Sequence, residues 1–377
     1  MPKGQEYRRP GPSRDPYLPH LPPTFGKNQL LPVADSTRML LESIVSKFNA
    51  PIWYAFAYGS GVFEQDGYSS MKKPMIDFVF AVNHTLHWHS INMAQFPGHY
   101  PLYSRALGSD FVARVQEISL GLWFNTYVPM NNVTIKYGVT TVDNLCSDLL
   151  NWDALYLAGR MHKPIRIIKG DPRVRLTQQV NLTSAIRAAL LTLPERFSET
   201  ELFKKITSFS YGGDIQMFLP AENQNKVCNI VQKQGPQFKE LYYRLMAGLP
   251  GVYWKNHSTL ILQDTSPNAR LAHLHKLPSG LLTQWTMGGF ASPPQHPEEA
   301  TEYWARLSAR PDLATLVQDE IKHIVRYPSA VQTVKGIVSA GVGKSSRYAA
   351  DKITKWWRAS GSGKGQPPSP PSSPESS

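Results

Sequence analysis

Tyr58-Gly59-Ser60-Gly61-Val62-Phe63, followed after a short loop by Met75-Ile76-Asp77-Phe78-Val79-Phe80-Ala81-Val82, is the stretch of this chain that decides its fold class. The run before it, Trp53-Tyr54-Ala55-Phe56-Ala57-Tyr58, is aromatic and apolar with no polar face, the pattern of a buried strand. It leads straight into a Gly-Ser-Gly turn, and a second apolar strand then carries one carboxylate, Asp77, in its middle. A charge inside an apolar strand is costly unless it is paired or bound to a cation. Small residues at a strand end let backbone N–H groups approach a phosphate, and a nearby carboxylate can hold the Mg²⁺ that bridges phosphate oxygens. Together the two features point to nucleotidyl transfer.

The rest of the composition narrows the partners. With 377 residues the chain has room for two or three domains. A formal net charge of +12 calls for a polyanionic partner: nucleic acid, nucleotide or an anionic membrane surface. Two cysteines, Cys146 and Cys228, make no disulfide framework and no CxxC, so they read as buried thiols in a reducing compartment. No apolar run approaches the ~20 residues that span a bilayer, which makes the expected protein soluble or peripheral. The N-terminus lacks the apolar segment of a secretory signal. Its Lys3, Arg8, Arg9 and Arg14 leave a mitochondrial transit peptide open, although the prolines among them break any amphipathic helix.

Along the chain, residues 1–33 are Pro-rich and expected to be disordered. Ser36 reads as the N-cap of a helix through Phe48. Val133–Val139 is a third strand, Val142 to Met161 one long helix, and Pro164–Ile168 a fourth strand closed by Gly170-Asp171-Pro172; residues 83–130 mix helix and loop. The expected α/β domain therefore covers residues 34–170. Residues 171–325 read as mostly helical, with a helix over Leu182–Leu193, a capping box at Ser198-Glu199-Thr200-Glu201 and one or two helices over Val227–Met246. A β-hairpin over Val252–Trp254 and Thr259–Leu262 makes this part winged-helix-like. Residues 326–358 are a basic amphipathic segment, and 359–377 a disordered tail.

In the polymerase-β-like nucleotidyltransferase superfamily, a Gly-Ser pair contacts the triphosphate and two carboxylates alternate on the next strand to bind Mg²⁺. The Gly-Ser-Gly turn with Asp77 resembles that arrangement, which sets the expected fold: α/β, a polymerase-β-like nucleotidyltransferase domain, then a mostly helical winged-helix-like domain and a C-terminal amphipathic helix. The alternation fails here, because Met75 and Val79 stand where the partner acid belongs. Lys136, between Ile135 and Tyr137, occupies the third strand where that superfamily often has another carboxylate, and its amine suits neutralisation of phosphate charge. A lysine pointing to solvent is the alternative.

A narrower resemblance accounts for these departures. Tyr54–Val62 with Ile76–Phe80 closely resembles the mitochondrial phosphatidate cytidylyltransferase family, the peripheral type of CDP-diacylglycerol synthase, also called the mitochondrial translocator assembly and maintenance family. The resemblance continues through Trp88-His89-Ser90, Asn92, His99-Tyr100, Ile135–Val139, Asp148–Trp152, Leu155-Tyr156, Ala158-Gly159-Arg160 and Lys163-Pro164. It resumes at Leu193-Pro194-Glu195, Ser210-Tyr211-Gly212-Gly213-Asp214, Ile324-Val325-Arg326 and Lys335-Gly336-Ile337, so it covers about residues 50–340 in order. A lone Asp77 is what that family looks like.

The resemblance implies that CTP and phosphatidic acid give CDP-diacylglycerol and pyrophosphate with Mg²⁺, on the matrix side of the mitochondrial inner membrane, for cardiolipin synthesis. Asp77 is then expected to hold the metal. Tyr58, Gly59, Ser60 and Gly61 would grip the β- and γ-phosphates, and Lys136 would neutralise phosphate charge. Asp148 is a candidate for the missing carboxylate, with a surface position as the alternative. In the basic segment, Lys335, Lys344, Arg347, Lys352, Lys355 and Arg358 oppose a single acid, Asp351. Lys344, Arg347, Lys355, Trp356, Trp357 and Arg358 are the expected membrane-binding residues, because tryptophans beside basic groups suit a headgroup interface. No nucleic acid is expected, and the oligomeric state is left open.

Other motifs carry less. His84, His87 and His89 match no common zinc spacing and have no cysteine nearby; His89 is expected either in the cleft or as a structural histidine. Ser210–Asp214 reads as a loop over a ligand or as a helix C-cap. Gly341-Val342-Gly343-Lys344-Ser345 is no P-loop, since Val338 replaces its first glycine. Two rivals stand beside the lipid enzyme: an RNA-directed nucleotidyltransferase, and a non-catalytic membrane or import assembly factor on the same fold.

Overall fold

The first aromatic run forms β1 (Tyr54–Tyr58), and the apolar run with Asp77 forms β2 (Ile76–Val82). The helices α1 (Asp35–Val45), α2 (Thr85–Gln95) and α3 (Leu102–Glu117) flank them in sequence, and β3 (Trp123–Met130), β4 (Val133–Thr141) and β5 (Ile165–Lys169) complete a five-stranded sheet. In this computed structural model, residues 22, 24–63, 75–212, 226–282 and 297–361 are described, without the side chains of 297–300, 337–338 and 340–361. The sheet order is β3-β4-β2-β1-β5, with β2 parallel to β4 and antiparallel to β1. Asp77 therefore lies on the central strand, paired in register with Tyr58 on one side and Lys136 on the other.

Side chains alternate between sheet faces. Ala55, Ala57, Phe78, Phe80, Ile135, Tyr137 and Val139 share one apolar cluster with α1. Tyr54, Phe56, Val79 and Ala81 belong to the other, which extends through the later helices. Tyr58, Asp77 and Lys136 have the parity of this second set, so all three face the helical part.

The strand β3 falls inside the region expected to mix helix and loop. Pro129 and the polar Asn125 and Thr126 hide it, yet Asn131 and Asn132 both adopt positive φ (51° and 58°), the two-residue turn that joins β3 to β4. The expected helix over Val142–Met161 is two helices, α4 (Val142–Asn151) and α5 (Leu157–Met161), separated by Trp152 and Leu155 at positive φ. The helix α1 starts at Asp35 with Ala34 as N-cap and no side-chain cap, so Ser36 lies within it. Residues 24–33 are ordered: Leu31 is buried, and the Asn28 amide donates to Leu241 O at 2.8 Å.

The second part opens with α6 (Pro172–Leu190), which begins ten residues before the expected start. Asp171, expected to close a strand, caps this helix by accepting from the N–H groups of Arg173 and Val174. The strand β6 (Arg196–Ser198) precedes α7 (Glu199–Ser208), whose Ser198/Glu201 capping box forms as expected. Next come α8 (Lys226–Ala247), kinked at Gln234 before Pro236, and the expected hairpin β7 (Val252–Trp254) and β8 (Leu260–Gln263); β6 joins it as a third strand. The chain continues through α9 (Pro267–Leu274), α10 (Pro297–Ser308) and α11 (Leu313–Gly361). One apolar cluster runs from Tyr54 and Phe56 through α4 and α6 to Phe203, Tyr242 and Val317, so the core is continuous across residues 170–171.

The helix α11 is continuous over 49 residues and crosses the expected boundary at 325–326. Leu313, Val317, Ile321, Ile324 and Val325 bury its first turns. Ser329, Gln332, Lys335 and Ser339 then turn a polar face inward. Lys335, counted in the basic segment, is buried, and its ammonium donates to Gln116 O and Ile118 O at 2.8 Å each. It thereby satisfies terminal carbonyls of α3, and burial lowers it to about 8. Lys344, Arg347, Lys355, Trp356, Trp357 and Arg358 lie on helical backbone, with side chains outside the described residues. Among the described residues, no helix is long and apolar enough to cross a membrane.

Candidate active site

At the end of β1 the chain turns through Gly59, whose φ of +86° favours glycine. The turn is closed by Val62 N–H donating to Gly59 O at 3.2 Å. A Cβ on Gly59 would sit 3.6 Å from Asp77 Oδ2, and one on Gly61 would sit 3.2 Å from Met75 O. Glycine at both positions lets the turn lie directly against β2. Ser60 stands exposed at its tip, beside the half-buried Asp77.

Burial pushes the Asp77 carboxyl up, while Lys136, Arg160 and Lys226 act in the opposite direction. Lys136 Nζ lies 4.3 Å over the Phe124 ring, on the same sheet face as Asp77. The Arg160 guanidinium stacks 3.5 Å over the Tyr156 ring, donates to Tyr156 O at 2.9 Å and reaches Tyr58 Oη at 3.4 Å. Lys163 donates to Ser210 Oγ at 2.8 Å and lies 4.7 Å from the Tyr211 ring centre; Lys226 approaches the same ring at 5.1 Å. Sequence reasoning assigned no role to Arg160, Lys163 or Lys226. The first two stand in quoted motif segments, and their basic character beside Gly159 was the available signal. Lys226 carries none, because only the packing of α8 brings it to Asp77.

Asp148 neither faces this cleft nor lies at the surface. One oxygen accepts from Ala154 and Leu155 N–H at 3.0 and 2.9 Å, the other from Leu157 and Ala158 N–H at 2.8 and 2.9 Å. A carboxylate has about four lone-pair sites, and all four are taken. Asp148 is the anchor of the α4–α5 connection, a better use of a buried carboxylate than metal binding would be at that place.

His89 is also structural. It is buried, bonded through Nδ1 to Tyr100 Oη at 2.8 Å and through Nε2 to Gln116 Oε1 at 2.7 Å, and burial lowers it to about 4. His84 and His87 are exposed and do not join it. The network continues through Asn92 to Tyr137 Oη, which also meets His99 and Asn125. The turn Ser210–Gly212 does cap the end of α7, with Tyr211 and Gly212 N–H groups donating to Ser208 O, and it also delivers Tyr211 to the basic cluster. Gly213 and Asp214 lie outside the described residues.

Among the described residues no three His, Cys, Asp or Glu side chains converge. The donor set is one carboxylate in a basic cleft. That suits a divalent cation arriving with a polyphosphate, since Mg²⁺ commonly takes one or two protein carboxylates and fills its shell with phosphate and water.

The chain matches the family model described as mitochondrial phosphatidate cytidylyltransferase over residues 41–355. It belongs to that family. Relatives carrying the name "Phosphatidate cytidylyltransferase, mitochondrial" include the Xenopus laevis protein, 38% identical over 339 residues, covering 89% of this chain and 99% of the relative. The Schizosaccharomyces pombe protein is 38% identical over 343 residues, covering 87% of this chain and 86% of the relative. The human protein is 36% identical over 330 residues, covering 86% and 72%. The phosphatidate cytidylyltransferase match spans both sheets and most of α11. The Gly59 turn, Asp77, Lys136, Arg160, Lys163 and Lys226 therefore all fall inside it.

Proposed function

We propose that this protein transfers a cytidylyl group from CTP to phosphatidic acid, giving CDP-diacylglycerol and pyrophosphate for cardiolipin synthesis. The carrying observation is the placement of Asp77 between the Gly59 turn and Lys136 on one sheet face, in a chain whose relatives bear the name of that activity. The five-stranded sheet with a strand-end Gly-Ser turn supports a polymerase-β-like nucleotidyltransferase domain over residues 34–170. The helices α6–α8 with the β6-β8-β7 sheet support a winged-helix-like module over 171–325 that shares its core.

In this mechanism the Gly59 turn offers backbone N–H groups, and Ser60 its hydroxyl, to the β- and γ-phosphates. Asp77 would hold Mg²⁺, which would supply neutralisation of phosphate charge. Lys136 adds a fixed positive charge on the neighbouring strand. A phosphate oxygen of the lipid forms the new bond to the α-phosphorus of CTP, and the bond to the bridging oxygen of pyrophosphate breaks. The lipid phosphate is already ionised near neutral pH, so little general-base help is needed. Catalysis is alignment and charge neutralisation. Incubation of the purified protein with labelled CTP, Mg²⁺ and phosphatidate vesicles is expected to yield CDP-diacylglycerol; a wild-type protein that forms none would refute the assignment.

We further place the protein peripherally on the matrix face of the mitochondrial inner membrane, held by the end of α11. Its inward face at Ser329, Gln332 and Lys335 is polar, while Tyr327 and Val334 stand 69% and 62% exposed. The α3 residues Leu102 and Leu107, and Ile118 just beyond that helix, are exposed as well. Truncation after Ala340 keeps the Lys335 contacts and removes Lys344, Arg347, Lys355, Trp356, Trp357 and Arg358. The affinity for anionic vesicles, read by co-flotation, is expected to fall by about a thousandfold, since those four basic residues each contribute about 1 kcal/mol near such a surface. Unchanged flotation would exclude this helix as the anchor.

A further inference from the structure

Residues 24–31 are strapped against α6. The Gln29 amide donates to Arg175 O at 2.9 Å and to Gln179 Oε1 at 2.7 Å, and the Asn28 amide holds Leu241 O. Gly26 turns at a φ of +68°, and a Cβ there would stand 2.8 Å from Arg175 Cγ, so the turn lies directly on that side chain. These bonds fix the half-buried Phe25 beside an open groove of about 310 Å³. Leu176, Val180, Thr183 and Arg187 line it from α6, and Lys276, just beyond α9, joins Arg187. The four α6 residues recur every three or four positions, so they form one stripe about 16 Å long.

The groove carries one sign of charge. Residues 24–31, 172–190 and 267–276, which form it, contain Lys27, Arg173, Arg175, Arg187, Arg270 and Lys276 and no Asp or Glu. Among the described residues, Arg173 alone of these pairs with carboxylates, those of Asp143 and Asp171. The Arg187 guanidinium is half-buried and donates to His273 Nδ1 at 3.4 Å. Burial, with Arg187 beside it, lowers His273 to about 4, so this partner is neutral. A half-buried cation on a neutral partner is uncompensated, and an incoming anion relieves it. Away from that end the groove surface is almost wholly apolar. Its polar atoms there are engaged: Gln179 Oε1 accepts from Gln29, and Thr183 Oγ1 donates to Gln179 O at 2.9 Å. A peptide backbone lying there would give up hydrogen bonds to water without replacing them. A ligand with polar atoms at one end only would not.

We infer that this groove binds a single-chain fatty carboxylate, its alkyl chain along Leu176 and Val180 against Phe25 and its carboxylate on Arg187 and Lys276. A planar guanidinium meets a carboxylate through two parallel N–H donors, and a compact ammonium adds charge. The volume is at the lower end of ligand pockets, roughly 300 Å³, which leaves room for one chain and not for two. The chain's own residues 1–21 complement the groove poorly, since four cations stand there against two acids. The groove shares no residue with the site around Asp77, so the inference is independent of the transfer reaction.

The test is calorimetric titration of the full chain with decanoate, kept below its micelle concentration. One-to-one binding is expected. Decanol, which lacks the charge, and acetate, which lacks the chain, are each expected to bind about tenfold more weakly. Arg187→Gln is expected to weaken decanoate about tenfold, the cost of one charge-assisted hydrogen bond. Val180→Glu, at an exposed position, is expected to weaken it by about as much, through lost apolar contact and like charge. Should Arg187→Gln melt early, the exposed Lys276→Gln decides in its place, with an expected loss of about threefold. Asp77→Asn is expected to bind decanoate as the wild type does; a loss there would move the ligand to the transfer site and overturn the inference. Wild-type affinity in both groove variants would overturn it too. So would absence of binding, the result expected if the chain's own N-terminal residues or a second copy fill the groove. Decyl phosphate binding about tenfold more tightly than decanoate would make the head group a phosphate and overturn the carboxylate assignment.

Discussion

Asp77→Asn is expected to lower CDP-diacylglycerol formation by about a thousandfold while leaving the fold at least as stable as the wild type. The amide keeps the shape and loses the negative charge that would recruit Mg²⁺ to the phosphates. Loss of that charge stabilisation, about 4 kcal/mol, corresponds to about three decades in rate. The stability side follows from burial. The Asp77 carboxyl is pushed up even with Lys136, Arg160 and Lys226 acting against the shift, so the ionised form is the strained one. Its folded value lies above the unfolded one near 3.8. The stability it contributes is therefore present below that value and is lost as pH rises through the folded one. Activity runs the other way and rises over the window in which the carboxylate ionises. At neutral pH the neutral isostere thus removes a strain and the activity together, as expected of a residue kept for function. Thermal melting beside a product assay checks both halves. A variant that keeps wild-type turnover would remove Asp77 from the site, and one that no longer folds would contradict the sign of the burial argument.

What the sequence disclosed and what it hid divide along a physical line. The strands β1 and β2, the Gly59 turn and the odd position of Asp77 are local signals: period-two apolarity, a glycine pair and a charge in an apolar run. The pairing of Asp77 with Lys136 depends on sheet order and register, which no local pattern carries. The strand β3 was hidden because Pro129 and Asn125 break the apolar alternation, and Asn125 is tolerated only by its bonds to Trp123 and Tyr137. Arg160, Lys163 and Lys226 were hidden for a different reason. They come from helix ends and a connection far apart in sequence, and no local pattern distinguishes a cation that packs over a tyrosine from one that faces water. Lys335 shows the same limit. In sequence it is one more cation of the basic segment, and only the docking of α11 on α3 reveals that two backbone carbonyls hold it.

Asp148→Asn tests the other carboxylate, and its effect is expected on stability rather than on metal binding. In the wild type each oxygen accepts two N–H groups, and these four bonds pin the residues between α4 and α5, where Trp152 and Leu155 take positive φ. The amide has one oxygen. Its NH₂ group must face two of the N–H donors, and a buried donor left unsatisfied costs about 1–3 kcal/mol. Two lost bonds and the donor–donor contact sum to about 3–5 kcal/mol, of the size measured when one partner of a buried charged pair is removed. For a chain of this size that lowers the melting temperature by about 10 °C. The damage spreads to the site, because Leu157 and Ala158 lead directly into Gly159, Arg160 and Lys163. Activity is expected to fall with the melting transition and to be restored by cooling, while the Mg²⁺ concentration giving half-maximal rate stays unchanged. A shifted Mg²⁺ requirement with an unchanged melting temperature would return Asp148 to the metal site and leave the α4–α5 connection without its anchor.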